Sequence, residues 1–568
     1  VVLGVWTLLA ARLLHLQLAT GRSLNELASR QRVLREMVPA RPGEILDRHG
    51  RVFATSVVQQ SLYVVPSRID RGWQTAAALA GALGRDAQTL FELLAANAGK
   101  EFLWVKRRLS NEEADRVRKL NLPRDCWGFR DEFRRYYPQG SLAAHVIGLR
   151  DVDGEGRGGV EQSFQQTLRG RDGWRTLIVD ARGRVIEVAD SGDASVAHGH
   201  SITLAIDAVI QLHAEQALDQ LMDQWKPLAA CAVVMDPQTG EILAMASRPT
   251  FDPNLADQVP EEAWKNRTIS DLHEPGSTIK PFIAAWALMQ GAIEASDMFD
   301  CEMGEYRMGR RVLHDHHRYG RLSVEEILVK SSNIGMAKIG LRLGNQGLHQ
   351  ALRAFGFGAR TGVELPGELA GIVRPLKTWN DYSTGSVPMG QEMAATPLQT
   401  ITAYAALANG GMLVTPRIVH DAGSSDRPGS LIVSRAIPGE VAGWVRERPL
   451  VGVVARGTGR KAFLPGFRVF GKTGTAQKPD PKTGLYSRER HVSSFVCGAP
   501  ADQPKALVLV LVDEPSVAHE GEHFGGSIAA PAAGVLLRKT LLHLGVAPQQ
   551  QPAEAAALSE ENDGALRE

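Results

Sequence analysis

The chain has 568 residues with 64 Lys and Arg against 63 Asp and Glu, so no global charge draws it to nucleic acid or another polyanion. At 44% hydrophobic and 22% charged, it has enough apolar residues to pack about two to four domains, which excludes a disordered chain. Cys126, Cys231, Cys301 and Cys497 lie far apart without metal-ligand spacing; they suit buried thiols better than two disulfides and leave the redox compartment open.

Residues Val1 to Ala11 are an unbroken apolar run ended by Arg12. Crossing a bilayer takes about 20 apolar residues, and the chain has no initiator methionine. The run is therefore expected to be the second half of a membrane anchor over residues 1–20; a buried helix or a signal-peptide remnant is the alternative. Arg12, Arg22, Arg30, Arg32 and Arg35 after it would by themselves place that flank on the cytoplasmic side, with no opposite flank to weigh against them. Residues 21–40 read as a polar, Arg-rich juxtamembrane helix. From there to about residue 200, short β-rich pieces mix with small helices: strands at Ser61–Val65 and Trp174–Val179, helices at Thr75–Leu94 and Asn111–Leu120. No catalytic residue types cluster in this stretch, so a docking or pedestal role over 21–200 is expected.

A second composition begins near Ser201. A strand at Ser201–Leu204 precedes a helix over Asp207–Trp225, whose apolar positions recur at helical spacing. Ala230–Met235, the turn Pro237-Gln-Thr-Gly240 and Ile242–Ala246 then form a β-hairpin. Helices are predicted at 279–290, 324–343 and 395–409. Strands follow at Phe467–Phe470, Val492–Cys497 and Leu507–Val512, with a last helix over Ile528–Leu544. Strands, a helical block, then strands again imply an α+β domain over 201–546, its sheet assembled from both ends of the segment and covered by helices. The Gln-rich, then acidic and Ala-rich stretch 547–568 reads as a disordered tail.

Three short motifs carry chemistry. In His273-Glu-Pro-Gly-Ser-Thr-Ile-Lys-Pro-Phe282, a turn at Pro275-Gly276 leads into an apolar helix, so Ser277 and Lys280 share one helix face. A serine hydroxyl becomes a nucleophile when a base takes its proton, and a lysine kept from water can act as that base. A lone Ser-x-x-Lys is more often a capped helix with an exposed lysine, yet no other lysine here has a serine three residues before it. Ser331-Ser-Asn333 opens the next helical stretch, where a hydroxyl can relay a proton and an amide can hold a peptide; alone it is common capping chemistry. Lys472-Thr-Gly474, followed by Thr475, comes after a strand-like segment. Its cation and hydroxyls suit a terminal carboxylate, and Gly474 opens the strand edge to a peptide. A second Lys-Thr-Gly at Lys482–Gly484 reads as a turn.

Ser-x-x-Lys, Ser-x-Asn and Lys-Thr-Gly in this order are the set found in β-lactamases and penicillin-binding proteins. The flanks resemble the class B penicillin-binding proteins: Gly390-Gln-Glu-Met-Ala-Ala-Thr-Pro-Leu-Gln399, Phe470–Gln477 and Ala529-Ala-Pro531 are similar to their transpeptidase domain. Arg41–Gly50, Arg135–Gly140 with His145 and Gly148, and Gly159-Val-Glu161 are similar to their pedestal. Within that class the resemblance is strongest to the division-type enzyme, penicillin-binding protein 3; elongation and sporulation types share the motifs.

The resemblance implies a serine β-lactamase-like sheet flanked by helices and D,D-transpeptidation of peptidoglycan stem peptides, with β-lactams as inhibitors. It implies Ser277 as nucleophile, Lys280 as base, Ser331 as proton relay and Asn333 holding the donor peptide. Lys472, Thr473 and Thr475 would bind the terminal carboxylate, beside Gly474, and the Ser277 and Thr475 N–H groups would form the oxyanion hole. No carboxylate suited to deacylation stands beside the motifs in sequence. The resemblance further implies a single-pass protein of the inner membrane with its catalytic domain outside, a polytopic glycosyltransferase partner and division proteins, and no cofactor. A β-lactamase-like hydrolase or a β-lactam sensor are the competing readings. His314-Asp-His-His317 could suggest a metal, but adjacent histidines in a charged loop cannot all face one ion, so a solvated loop and no metal are expected. His145 is expected to be structural.

Overall fold

A computed structural model describes residues 2–18, 33–123, 125–179, 185–189, 195–420, 432–480, 483–516 and 523–548. The tail read as disordered lies almost wholly outside them. The chain divides into two compact units, one formed by Val1–Glu44, Ala54–Tyr136 and Phe164–Ile202, the other by Ile45–Phe53, Tyr137–Ser163 and Thr203–Glu568.

In the first unit, residues 54–64 of the long strand Val52–Val64 pair antiparallel with Leu103–Lys106 and Trp127–Tyr136. Its apolar side chains Leu62 and Val64 pack with Leu79, Leu83, Leu90, Leu94 and Val117 from three helices. The predicted helix Thr75–Leu94 is two helices, Gly72–Leu83 and Ala87–Ala96. Gly84 takes a left-handed φ of 64° that ends the first, and Asp86 caps the second by accepting the Thr89 N–H. The juxtamembrane helix expected over 21–40 is corrected in part. Val33–Val38 is a strand paired with Gly173–Val179, which supplies the hydrogen bonds that local sequence cannot reveal; residues 19–32 lie outside the described residues. The apolar N-terminal run is a helix over Val2–Leu18. Among the described residues no helix is long and apolar enough to cross a membrane.

The second unit is built on a five-stranded antiparallel sheet. Its elements in chain order are α1 (Ala208–Trp225), β1 (Ala229–Met235), β2 (Ile242–Arg248), α2 (Lys280–Met289), α3 (Val324–Val329), α4 (Asn333–Ala354), α5 (Pro397–Ala408), β3 (Phe470–Pro479), β4 (Tyr486–Ala499), β5 (Ala506–Asp513) and α6 (Gly525–His543). The strand order is β2-β1-β5-β4-β3, so the early hairpin joins the late strands through β1 and β5, with Ala232 opposite Val510. The sheet assembled from both ends of the segment is therefore present.

Buried on both faces, β1 and β5 read as continuous apolar runs rather than alternating ones. Ile210, Leu218 and Leu221 of α1 and Ile528, Leu536, Leu537 and Leu541 of α6 cover one face. Each such side chain contributes about 1.5–3 kcal/mol when fully buried. Phe282 of α2 packs against Phe355, Phe357 and Tyr404 at ring separations of 4.8–5.6 Å. This aromatic cluster anchors the helix that carries the first motif. All four cysteines are free and buried.

Candidate active site

The first motif does not sit in an ordinary helical turn. Gly276–Ile279 form a 3₁₀ turn that runs directly into α2, and Gly276 enters it with φ 55°. A side chain at Gly276 would strike the Thr475 carbonyl at 2.9 Å, so the missing Cβ lets the turn approach β3. Tyr404, fully buried on α5, donates to the Thr278 carbonyl at 2.9 Å and fixes the turn from below. Glu274 fixes its entry by accepting the Glu392 N–H at 3.0 Å and the Tyr486 hydroxyl at 2.9 Å. Ser277 is left half-buried at the end of this scaffold.

Lys280 is 0% exposed, and the charged ammonium is costly there. Burial lowers its pKa from the ordinary 10.5 to about 7, partly opposed by the Asp315 carboxylate. Its Nζ donates to the Ser331 carbonyl at 2.6 Å, the Asn333 Oδ1 at 2.8 Å and the Ser331 Oγ at 3.3 Å. The lysine thus ties the first motif to the second. Ser277 Oγ takes no part in this network.

The second motif interrupts the helix predicted over 324–343. The helix breaks between α3 and α4, where Ser331 adopts φ 59°, a left-handed conformation uncommon for a residue with a Cβ. Ser332 caps α4 by accepting the Gly335 N–H at 2.9 Å. Asp315 holds the junction from outside, accepting the Ser332 hydroxyl at 2.6 Å, the Ile334 N–H at 3.1 Å and the Asn333 N–H. Asn333 Nδ2 donates to the His314 carbonyl at 3.0 Å. The His314–His317 loop, read from sequence as a solvated segment, therefore supplies the clamp that orients Ser-x-Asn. No spacing in the sequence pointed to Asp315.

The third motif lies within an edge strand rather than after one. The strand predicted at Phe467–Phe470 instead begins at Phe470 and runs through Lys472, Thr473, Gly474 and Thr475 to Pro479. One side of β3 pairs with β4. Lys472, also 0% exposed, donates to Ser331 Oγ at 2.8 Å; burial and the charge of Lys280 lower its pKa well below the usual lysine range. Thr473 and Thr458 share a hydroxyl hydrogen bond of 2.8 Å, and Thr475 Oγ1 accepts the Gly525 N–H at 3.1 Å at the start of α6. A Cβ on Gly474 would collide with Ser494 Oγ and with Thr278 Cγ2 at 2.8 Å, so glycine lets β3 lie against the Ser277 turn.

Ser331 Oγ consequently receives hydrogen bonds from two buried lysines contributed by separate elements. The structure brings Lys280, Ser331, Asn333 and Lys472 into one hydrogen-bonded group, with Ser277 on the turn beside Gly474 and Thr475. Two carboxylates, Asp315 and Glu274, flank the motifs, and both accept backbone N–H groups. The second Lys-Thr-Gly is a turn at its described residues Thr483 and Gly484, joining β3 and β4; Lys482 lies outside the described residues.

The Penicillin binding protein transpeptidase domain model matches residues 230–538, and the Penicillin-binding Protein dimerisation domain model matches residues 37–204. The chain belongs to the class B penicillin-binding proteins. It is 33% identical over 554 residues to a probable peptidoglycan D,D-transpeptidase PenA of Neisseria meningitidis, covering 97% of this chain and 92% of that one. It is 33% identical over 521 residues to peptidoglycan D,D-transpeptidase FtsI of Escherichia coli, covering 90% and 85%. Stage V sporulation protein D of Bacillus subtilis is 32% identical over 561 residues, covering 97% and 85%. The solved structure of penicillin binding protein 3 from Mycobacterium tuberculosis, complexed with aztreonam, superposes with a TM-score of 0.69 at 28% identity, over 91% of this chain and 99% of that one. This class B enzyme is a peptidoglycan D,D-transpeptidase of the serine acyltransferase type, with the penicillin-binding fold that its sheet and motifs described.

His145 is buried, its Nε2 2.8 Å from the Ala263 carbonyl and its ring edge-on to Phe251. Burial lowers its pKa to about 4, so it is neutral and serves packing.

Proposed function

We propose that the enzyme crosslinks stem peptides through an acyl-enzyme on Ser277. The observation that carries this reading is Lys280: a fully buried amine with a pKa near 7, on the same short turn and helix as a half-buried serine. The neutral amine accepts the Ser277 proton as the hydroxyl attacks the carbonyl between two terminal D-alanines. The Ser277 and Thr475 N–H groups receive the developing oxyanion, an interaction whose loss costs about 10²–10³ in rate. Ser331, hydrogen-bonded to both lysines, passes the proton to the departing D-alanine. Asn333 holds the donor peptide. Lys472, Thr473 and Thr475, beside the open edge at Gly474, bind the terminal carboxylate, and the N-terminus of α6 adds a favourable dipole for an anion. The acyl group then passes to an amine of a neighbouring strand.

Residues 1–20 act as part of a membrane anchor, residues 21–200 as the pedestal and residues 201–546 as the transpeptidase domain. The substrate places that domain outside the inner membrane. A polytopic glycosyltransferase supplies the glycan strands, and the cellular role is septal, as the likeness to FtsI and PenA supports. Labelling of wild type and Ser277→Ala with a fluorescent penicillin tests the chemistry: the bond should form on wild type, persist without drug turnover and vanish in the variant. Labelling that survives the substitution overturns the assignment of Ser277, and rapid turnover would make the enzyme a hydrolase. Restoration of septation in a depletion strain by wild type, and not by Ser277→Ala, tests the cellular role.

A further inference from the structure

Among the described residues, one cluster of metal-capable side chains lies outside the three motifs. Asp207, 1% exposed, caps α1 through Oδ1, which accepts the Val209 N–H at 2.9 Å and the Ile210 N–H at 3.4 Å. Its other oxygen, Oδ2, meets two imidazoles: His49 Nε2 at 3.0 Å and His543 Nε2, in the last turn of α6, at 2.8 Å. These ligand atoms all lie within 4.8 Å of one another. His49 belongs to the segment Ile45–Phe53, so residues nearly 500 positions apart converge on one carboxylate oxygen of the same compact unit.

We propose that His49, Asp207 and His543 form a binding site for a divalent cation of the zinc type. Two imidazoles and one carboxylate are a donor set suited to zinc, which binds nitrogen and oxygen at about 2.0–2.2 Å and so holds tetrahedral neighbours roughly 3.3 Å apart. The separations of 2.8 and 3.0 Å between each imidazole and the carboxylate oxygen lie within a few tenths of an ångström of that spacing. The Nε2–H of each ring faces Oδ2; on binding, the ion takes the place of that proton and each ligating ring carries its remaining proton on Nδ1. The support around the ligands is already built. Arg51 donates to Asp207 Oδ1 at 3.2 Å and to Asp47 Oδ2 at 2.7 Å. Asp47, 0% exposed, accepts the Ala208 N–H and offsets the guanidinium charge beside the ion. The side chain of His49 is 57% exposed, which leaves water access to the fourth coordination position. The ion would clasp the early segment to the final helix. This proposal is independent of the reading of Ser277.

Zinc alone, titrated into chelator-treated, tag-free full chain against a chromophoric zinc indicator, tests it. Wild type should bind one zinc per chain at least tenfold more tightly than His49→Ala or His543→Ala. Cobalt in its place should give the visible absorption of a tetrahedral site, absent in both variants. Added zinc should raise the wild-type unfolding temperature in a concentration-dependent way. Penicillin labelling of Ser277 should persist in His49→Ala, whose exposed side chain contributes little packing, so this variant serves if His543→Ala does not fold. No zinc bound by wild type, or equal stoichiometry and affinity in wild type and His49→Ala, overturns the proposal and leaves a hydrogen-bonded clasp.

Discussion

The pH dependence of acylation is the sharpest test of the Lys280 network. Burial drops the amine from 10.5 to about 7, with Asp315 alone pulling the other way. At neutral pH a shift of that size raises the fraction of unprotonated amine on the order of 10³-fold over an ordinary lysine. The base form is present above the folded pKa and disappears as pH falls through it. The second-order rate of acylation by a soluble penicillin should therefore rise about tenfold between pH 6 and pH 8 and level off above, if proton transfer to one group of pKa near 7 limits it. Stopped-flow fluorescence with a reporter β-lactam over pH 5.5–9, with circular dichroism confirming the fold at each pH, measures this directly. Lys280→Arg, which stays charged at every pH tested, should lose about 10²–10⁴ of the rate and the pH dependence with it. A flat profile in wild type, or a Lys280→Arg variant with the same inflection, would refute the assignment of Lys280 as base.

Other consequences can be checked separately. Asp315→Asn removes the charge that holds the Lys280 pKa up, so the inflection should move to lower pH while the plateau falls as Asn333 loosens; the same profile reads both. Gly474→Ala should push β3 away from the Ser277 turn, cost about 1–3 kcal/mol of stability by overpacking and slow acylation, as thermal unfolding and labelling rates would show. Tyr404→Phe leaves the buried Thr278 carbonyl without its donor. It should lower stability in urea by about 1–3 kcal/mol and slow acylation without altering the pH inflection.

The three motifs were legible because each is short, rich in unusual residue types and fixed in order. Their supports were not. Asp315 lies in a loop of charged residues where nothing in the pattern separates a clamp from a solvated side chain; its role exists only because the loop meets the junction between α3 and α4. That junction was hidden too, since Val324–Leu343 keeps helical periodicity straight through Ser331 and its left-handed turn. The sheet core was easy to read in β1 and β5, where apolar runs are continuous. The start of β3 was misplaced because Lys-Thr-Gly-Thr-Ala-Gln lacks the apolar alternation of a strand and is held extended by pairing with His491–Val496 of β4. Val33–Val38 was missed for the same reason, its partner strand lying about 140 residues downstream.

The pairing of β1 with β5 has a consequence for how the enzyme comes into being. Ala232 and Val510 are adjacent strand partners about 280 residues apart, so the centre of the sheet cannot close until nearly the whole chain has been synthesised. Loop closure over that distance must precede any reward from the central pairing, which makes assembly of this unit slow relative to helical domains of equal stability. Until then β1 and β2 form a hairpin with one apolar edge open, a species prone to aggregation. A ribosome that stops between α2 and β5 releases a chain in which Ser277 and Lys280 are both present and the sheet that should support them is not.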